Sequence, residues 1–576
     1  MKKIFLYGAL ALSSVLMTGC NDFLDENRYP LDEQTNNPEF WNNASNVDGQ
    51  IYTFYNNFTG YGNGGGQGLF YFKTLSDDQA GGSFANWTNT SVPASSSNWS
   101  SPFVEIRRAN YIIENVNKST LSKSVKNHYE GVARLNRAYQ YYQLVRMYGD
   151  VQWIGGVVDP ADKDVVYGSR TDRDEVMDSV LFDLDFACAT ITGGSKITFN
   201  KDMAQAMKSE ICLYEGTYSR YRTLAENGKA ANEERAKKYL GEAVKASEAV
   251  MNAGYTLSND YHALYNSTSL TGNSEIIFCK PYNSSVLKHS LISYTASSTQ
   301  INGMTKDAFD AYLFKDGKPL ALTTENKSDV GEVDENGNYS IAKLLEVRDA
   351  RLAATIDPVV YYDNMTWSRE GSMEMTSSTG YGVCKYDNVT LPLSSRINTG
   401  SSYTSAPLYW LAVIYLNYAE AKAELGTLTQ EDVNNTIGKL YTRAELPVLN
   451  ISAIEHDPAN NMGVSDLLWE IRRCRRCELM FDNWTRYWDL VRWHKLDLLD
   501  SQKNPNILLG ANMTACPPLK DSEGNAYTIP NVGGYIDGSK GKVRVYDKRQ
   551  YLYPVPSGQI TLNENLTQNP LWETAE

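Results

Sequence analysis

Histidine is scarce, with five in the whole chain, and no H-E-x-x-H, G-x-S-x-G or P-loop pattern occurs. So few imidazoles give no basis for a Ser-His-Asp set, and the missing motifs remove the common signatures of zinc proteases, α/β-hydrolases and nucleotide hydrolases. Glycoside hydrolysis needs two carboxylates at a defined separation, but among 68 acidic residues a pair can be nominated anywhere, so their presence argues nothing. Basic charge is lacking too. The formal net charge is -14, and scattered Lys and Arg do not make the clustered patch that phosphate binding requires, which excludes nucleic acid as a partner. Long apolar runs are absent beyond the first residues: the longest, Leu408 to Leu416, carries Tyr and Trp and falls far short of the roughly 18 residues a bilayer span needs.

Cysteine is sparse as well. Apart from Cys20, seven remain (Cys188, Cys212, Cys279, Cys384, Cys474, Cys477 and Cys516), an odd number that cannot form a complete disulfide framework, so buried thiols are expected. Cys474 and Cys477 make a single C-x-x-C with no second ligand pair, which argues against structural zinc. Gly60-x-Gly62-x-x-Gly65 formally matches a dinucleotide fingerprint. No apolar strand leads into it and no amphipathic helix follows, as phosphate cradling demands. Four arginines, Arg472, Arg473, Arg475 and Arg476, lie in a helical pattern beside Glu470 and Glu478, and a solvated or salt-bridged face is expected there.

The N-terminus is informative. Lys2 and Lys3 precede an apolar stretch from Ile4 to Leu16, and Met17-Thr18-Gly19-Cys20 closes it with small residues and a cysteine. This reads as a signal peptide, residues 1–19, rather than a span, and it resembles a bacterial lipoprotein box in which Cys20 is lipidated and becomes the first mature residue. Asn21 to Glu26 then forms a polar stalk, and a helical pattern runs from about Pro38 to Phe58.

Aromatic content is tilted towards tyrosine, 39 beside 11 Trp and 16 Phe. Tyrosine joins a flat apolar face to a hydrogen-bonding tip, which suits polar ligands such as sugars, although many such rings pack between helices. Asp77 to Ser101 reads as an exposed loop holding Trp87 and Trp99. From Ser101 the apolar positions recur at steps of three and four: Val132, Leu135, Ala138, Tyr142, Val145 and Tyr148 make a helix that Gly149 closes with a left-handed cap. Similar patterns cover Arg173–Ala189, Met203–Tyr218, Glu233–Ala253, Leu408–Leu425 and Asp466–Asp500. The fold expected is mostly α, a tetratricopeptide-like stack of helical hairpins with a large irregular insertion and a few short strands such as Glu275 to Phe278. The scaffold lies mainly in 101–253 and 408–500, with loop-rich faces in 60–100 and 255–407, all in one domain over 20–576. Loops on a rigid scaffold are where binding groups usually sit.

Several segments, spread over nearly the whole chain, resemble the SusD/RagB family. They are Cys20 to Asp25; Arg137-Ala138-Tyr139-Gln140-Tyr141-Tyr142-Gln143-Leu144 with Tyr148-Gly149-Asp150-Val151; Tyr418-Ala419-Glu420-Ala421; Glu478-Leu479 with Arg486-Tyr487-Trp488-Asp489-Leu490-Val491-Arg492-Trp493; Tyr553-Pro554-Val555-Pro556; and Thr567-Gln568-Asn569-Pro570 with Trp572. Thr485 stands where the family commonly has glycine. The Trp488 to Trp493 block reads as a packed helical stripe with Arg492 and Asp489 available to pair, not as a binding site.

The resemblance implies a right-handed superhelix with an irregular ligand-binding face, lipid-anchored at the outer-membrane surface. It also implies a non-enzymatic role as a hinged lid over a SusC-like TonB-dependent barrel, delivering oligosaccharide or polysaccharide. A peptide-binding member and a helical-repeat scaffold without a small ligand remain open beside that reading. Binding a glycan asks for aromatic platforms and polar groups for hydroxyls. The candidates are Trp87 as main platform, Asp77 and Asp78 as hydroxyl acceptors, and Tyr282, Tyr294, Trp367 and Tyr381, placed partly where the family carries ligand contacts. No catalytic residue, cofactor or metal site is expected. Asp334-x-Asn336-Gly337-Asn338 is a fragment of a calcium loop without its distal Glu, which leaves structural calcium open only as a minor partner.

Overall fold

The structure, a computed structural model, describes residues 35–71, 75–81, 86–296, 302–362, 377–483, 485–520 and 523–573. The leader, Cys20 and Trp367 lie outside the described residues.

Helix α1 (Ala44–Tyr52) follows a short 3-10 turn at Pro38–Asn42 and passes into another at Thr53–Asn57, so the helical pattern expected over 38–58 is three short pieces. Next come α2 (Ser97–Lys118) and α3 (Lys123–Tyr148), joined by residues 119–122, a link so short that the two must lie antiparallel side by side. Helices α4 (Arg173–Thr190), α5 (Lys201–Tyr221) and α6 (Glu233–Met251) extend the stack, each packed on its predecessor. The side chains of Ser122, Asp172, Asn200 and Asn232 each accept a backbone N–H from the first turn that follows, satisfying donors that a helix start otherwise leaves unpaired. Val132, Leu135, Ala138, Tyr142 and Val145 are all buried, as their spacing predicts. Gly149 closes α3 with its N–H on Val145 O, but at φ 70° and ψ -114° it lies beyond the left-handed helical region, in a conformation that glycine reaches without strain.

The insertion is organised by short paired strands. Strand β1 (Gln79–Gly81) and β2 (Ile276–Lys280) pair antiparallel with β3 (Asn302–Met304) and β4 (Ala406–Trp410) respectively, with Gly81 opposite Asn302 and Lys280 opposite Ala406. Helix α7 (Lys306–Ala311) follows β3 directly, capped by Thr305. After β4 the chain turns at once into α8 (Leu411–Glu424), buried from Leu411 through Ala421. The single helix expected from Leu408 is therefore a strand and a helix in series, because Leu408, Tyr409 and Trp410 find a pairing partner in β2.

The long helix expected over 466–500 is likewise divided into α9 (Asp466–Glu478), α10 (Thr485–Arg492) and a 3-10 turn at Leu496–Leu499. Positive φ at Phe481 (68°) and Asn483 (47°) reverses the chain between α9 and α10. Strands β5 (Leu509–Asn512) and β6 (Tyr535–Asp537) close a small sheet with Asn531–Val532. Trp99, expected in an exposed loop, lies in the first turn of α2, 3% exposed and edge-on to Tyr148 at 4.9 Å. Apolar side chains gather in two main cores, one among α1 to α6 with α10 and the C-terminal segment, the other among the insertion, α8 and α9.

Helix α9 is the hub between them. Arg472, Arg473 and Arg475 are buried, not solvated, and each guanidinium has a carboxylate on another element or turn: Arg472 with Glu424 at 3.0 Å, Arg473 with Asp457 and Glu470, Arg475 with Asp489 at 2.8 Å. The Trp488 to Trp493 block is structural as expected: Arg492 donates to both oxygens of Glu420 at 2.6 and 2.7 Å, and Trp493 Nε1 donates to Glu420 Oε1 at 2.7 Å. Cys188, Cys212, Cys279, Cys474, Cys477 and Cys516 are free thiols, with Cys474 and Cys477 buried inside α9. Among the described residues, no helix is long and apolar enough to cross a membrane.

Candidate functional site

The residues singled out from sequence fall into three places. Tyr282 and Tyr294 belong to the glycine loop: Tyr282 OH donates to Gly62 O at 2.7 Å, Tyr294 OH to Gly65 O at 3.4 Å, and Ser290 Oγ to Gly64 O at 2.6 Å. These tyrosines pin a tight hairpin in which a Cβ on Gly62 would stand 2.2 Å from Gly66 O, so the glycines serve close backbone approach rather than a phosphate cradle. Tyr282 is buried, and its ring is covered by His289, leaving it no open face as a platform. Trp87 is half-buried against the helical core, with Nε1 donating to Val545 O at 2.7 Å. Tyr381 is interior, stacked on Phe309 at 4.9 Å, and burial pushes its phenol well above the ordinary range.

Asp77 and Asp78 are buried rather than free for hydroxyls. Arg486 grips Asp77 through two bonds of 2.8 and 2.6 Å, and Arg476 bridges Asp78 at 2.7 Å and Asp307 at 2.8 Å. Burial works against the charged form of Asp77, but Arg476 and Arg486 outweigh it and hold the carboxyl well below the usual carboxylate range. For Asp78, burial prevails over Arg476, and the carboxyl is pushed up. The backbone of this turn is tied to α7, with Thr305 N donating to Asp78 O at 3.0 Å and Thr305 Oγ1 to Asp77 O at 2.6 Å. Loop geometry read from composition did not foresee this, because the partners lie some 400 residues away in the chain.

Beside these pairs opens a groove of about 340 Å³ between α7, α9, the loop around Pro458 to Met462 and the turn at Asn504 to Ile507. Trp469, Asn461, Asp307, Asp310, Arg473 and Arg476 line it. Trp469 is half-buried, its Nε1 donating to Asp457 Oδ2 at 3.1 Å and its ring 5.3 Å from the Arg473 guanidinium. Asp310 accepts from Lys306 at 2.6 Å, and burial pushes its carboxyl up. The charged groups around the groove are matched in pairs, so a neutral ligand rich in hydroxyls meets fixed donors and acceptors without an unbalanced charge, beside an indole that can cover an apolar face. Sequence reasoning missed Trp469. Its spacing of four and seven residues from Arg473 and Arg476 puts all three on one face of α9, and that spacing was the available signal.

Asp334 Oδ1 accepts from Asn336 N at 2.9 Å and Asn338 N at 2.8 Å, so this carboxylate closes its own turn. No group of three His, Cys, Asp or Glu side chains poised for a metal ion occurs among the described residues.

A family model described as "SusD family" matches residues 274–572, and a second, described as "Starch-binding associating with outer membrane", matches residues 23–213. SusD-like protein P2 of Formosa agariphila is 25% identical over 490 residues, covering 82% of this chain and 79% of that protein. A SusD-like carbohydrate-binding protein of Bacteroides fragilis, known from its crystal structure, superposes with a TM-score of 0.67 at 20% identity, covering 92% of this chain and all of that one. A laminarin-binding SusD-like protein superposes with a TM-score of 0.53 at 18% identity, covering 92% and 99%. These structural likenesses establish the shared helical fold, and the first model spans just over half of the sequence. The chain belongs to the SusD family.

Proposed function

We propose that the protein is a lipid-anchored binding protein of the outer-membrane surface that captures oligosaccharide or polysaccharide and hands it to a SusC-like TonB-dependent barrel, without cleaving it. The observation that carries this reading is the groove at Trp469. An indole and side chains already paired in charge suit sugar rings and their hydroxyls, whereas nothing around the groove pairs a free nucleophile with a base. Relatives named for carbohydrate and laminarin binding support the ligand class, and the match to a model described as outer-membrane-associated supports the location. Cys20 supplies the anchor and is tested by Cys20→Ala, which releases the protein from membranes into the soluble fraction.

The groove is tested by calorimetry of the mature protein against a panel of neutral polysaccharides. Trp469→Ala weakens binding roughly tenfold or more, as loss of a stacking platform does, while the melting temperature stays within about 2 °C. Steady release of reducing ends, or heat with oligopeptides and none with any glycan, overturns the reading.

A further inference from the structure

A second cleft, separate from the groove, enters between α3, α5, β4 and α10 and narrows to a cavity of about 80 Å³. Its wall is aromatic, with Tyr139, Tyr142, Tyr214, Trp410 and Trp488 around the side chain of Arg146. The Arg146 guanidinium carbon lies 4.4 Å from the centroid of Trp488 and 5.0 Å from that of Tyr142. Rings packed against a guanidinium hold its plane and leave its N–H edge to recognise a partner.

Among the described residues no carboxylate forms an ion pair with that edge. The other two arginines lining the cleft are engaged, Arg475 with Asp489 at 2.8 Å and Arg492 with Glu420 at 2.6 Å. Arg146 makes no ion pair among the described residues; its guanidinium donates to the side-chain oxygen of Gln143 and leans on the Tyr142 hydroxyl. Its Nε is buried with no hydrogen-bond partner, and so are Tyr214 OH and Trp410 Nε1 in the same wall. Three buried donors left open at one cavity are an unusual expense in a folded protein, and an acceptor-rich guest removes it. Glu210, a carboxylate in the same cleft that forms no ion-pair contact, accepts from Tyr409 OH at 2.9 Å, and burial outweighs the pull of Tyr409, Arg146 and Arg475 and pushes its carboxyl up, which weakens its claim on Arg146.

We infer that this cleft binds a carboxylate group, with Arg146 as its fork-shaped donor and Tyr214 and Trp410 as flanking donors. Two to three water-sized volumes fit the cavity, enough for a carboxyl and its attached carbon but not for a whole sugar ring, so the rest of the ligand extends towards the mouth. The carboxylate can belong to a sugar acid or to a free small acid. The first case rests on the glycan reading above and makes part of its substrate acidic; the second does not.

The test is calorimetry of the mature protein with sodium galacturonate, sodium acetate and, as neutral control, galactose. The expected result is heat with one or both acids and none with galactose at this cleft. Galacturonate binding well above acetate assigns the sugar acid, and equal binding assigns the free acid. Arg146→Gln weakens acid binding about tenfold or more, Arg146→Lys weakens it less, and Tyr214→Phe, which removes one oxygen, weakens it several-fold. None of these changes the affinity for a neutral polysaccharide held at Trp469. If Arg146→Gln unfolds the protein, Tyr214→Phe and Arg146→Lys carry the test. Absence of acid binding in the wild type, or unchanged affinity in the folded variants, overturns the inference, and a neutral polysaccharide that still binds leaves the proposed function standing.

Discussion

Replacing Arg492 with methionine is the sharpest test of how the scaffold is held. In the structure Arg492 gives two bonds to Glu420, one to Asp489 at 2.9 Å and one to Thr217 at 3.1 Å, and both it and Glu420 are essentially inaccessible to water. Methionine fills similar volume but strands the Glu420 carboxylate with only Trp493 Nε1 as donor. Removing one partner of a buried pair costs about 3–5 kcal/mol, mainly because the remaining charge stays buried. An unfolding entropy of about 2.1 cal/mol/K per residue over the roughly 500 residues described is about 1 kcal/mol/K, so the melting temperature should fall by about 4 °C. Calorimetry and urea unfolding measure it. Adding Glu420→Gln to Arg492→Met should recover part of the loss, since an amide is far easier to bury than a carboxylate. A melting temperature unchanged within about 1 °C in the single variant, or a double variant worse than the sum of the singles, refutes the reasoning.

Acid weakens the fold through His289, which is fully buried with Nε2 on Thr404 O at 3.0 Å and Nδ1 accepting from Leu291 N. Burial, opposed by the Thr404 carbonyl, lowers its pKa from 6.5 to about 3, so below pH 6.5 the unfolded chain takes up a proton that the folded one refuses. Stability from this group should drop by about 2 kcal/mol between pH 7 and pH 5, read from urea midpoints, and a midpoint independent of pH over that range removes the argument. Cys474 and Cys477 are buried, and burial pushes the Cys474 thiol up to about 12, so iodoacetamide at pH 8 should label them only after unfolding; rapid labelling of the native protein contradicts their placement. Arg476→Met unties Asp78 and Asp307 from α9, so amide exchange should speed up by about tenfold or more in residues 76–81 and 302–311 while α2 to α6 keep their protection. Equal exchange in the two proteins counts against the tie.

The helices were legible because their signal is local. Apolar spacing from Val132 to Val145 survives in the structure, and so do the helices near Arg173, Met203 and Glu233. What escaped was set by distant partners. Leu408 to Trp410 reads equally as helix or strand until β2 supplies a neighbour, and the break after Glu478 has no glycine or proline to announce it. Binding residues were harder still. Tyr282 and Tyr381 look like loop rings in sequence, yet each satisfies its hydroxyl or its face inside the protein, and Asp77 is engaged by Arg486, 409 positions away. Composition shows that rings and carboxylates are available; only the folded contacts show which remain unspent.

The buried charges also bear on how a loop-rich face can be rigid. An ion pair inside a protein is weak evidence of stability, because desolvation consumes most of what attraction supplies. Its geometry is another matter, since a guanidinium with two carboxylates on two elements is satisfied in one arrangement only. Along α9, Arg475 reaches α10, Arg472 reaches α8, Arg473 reaches the Asp457 loop, and Arg476 reaches both the β1 turn and α7. The same helix carries Trp469, so the groove's ring, its polar rim and the loops beside it are all referred to one rod. A face assembled from segments far apart in sequence can then present a fixed pattern of donors and acceptors before any ligand arrives, and binding does not have to order it.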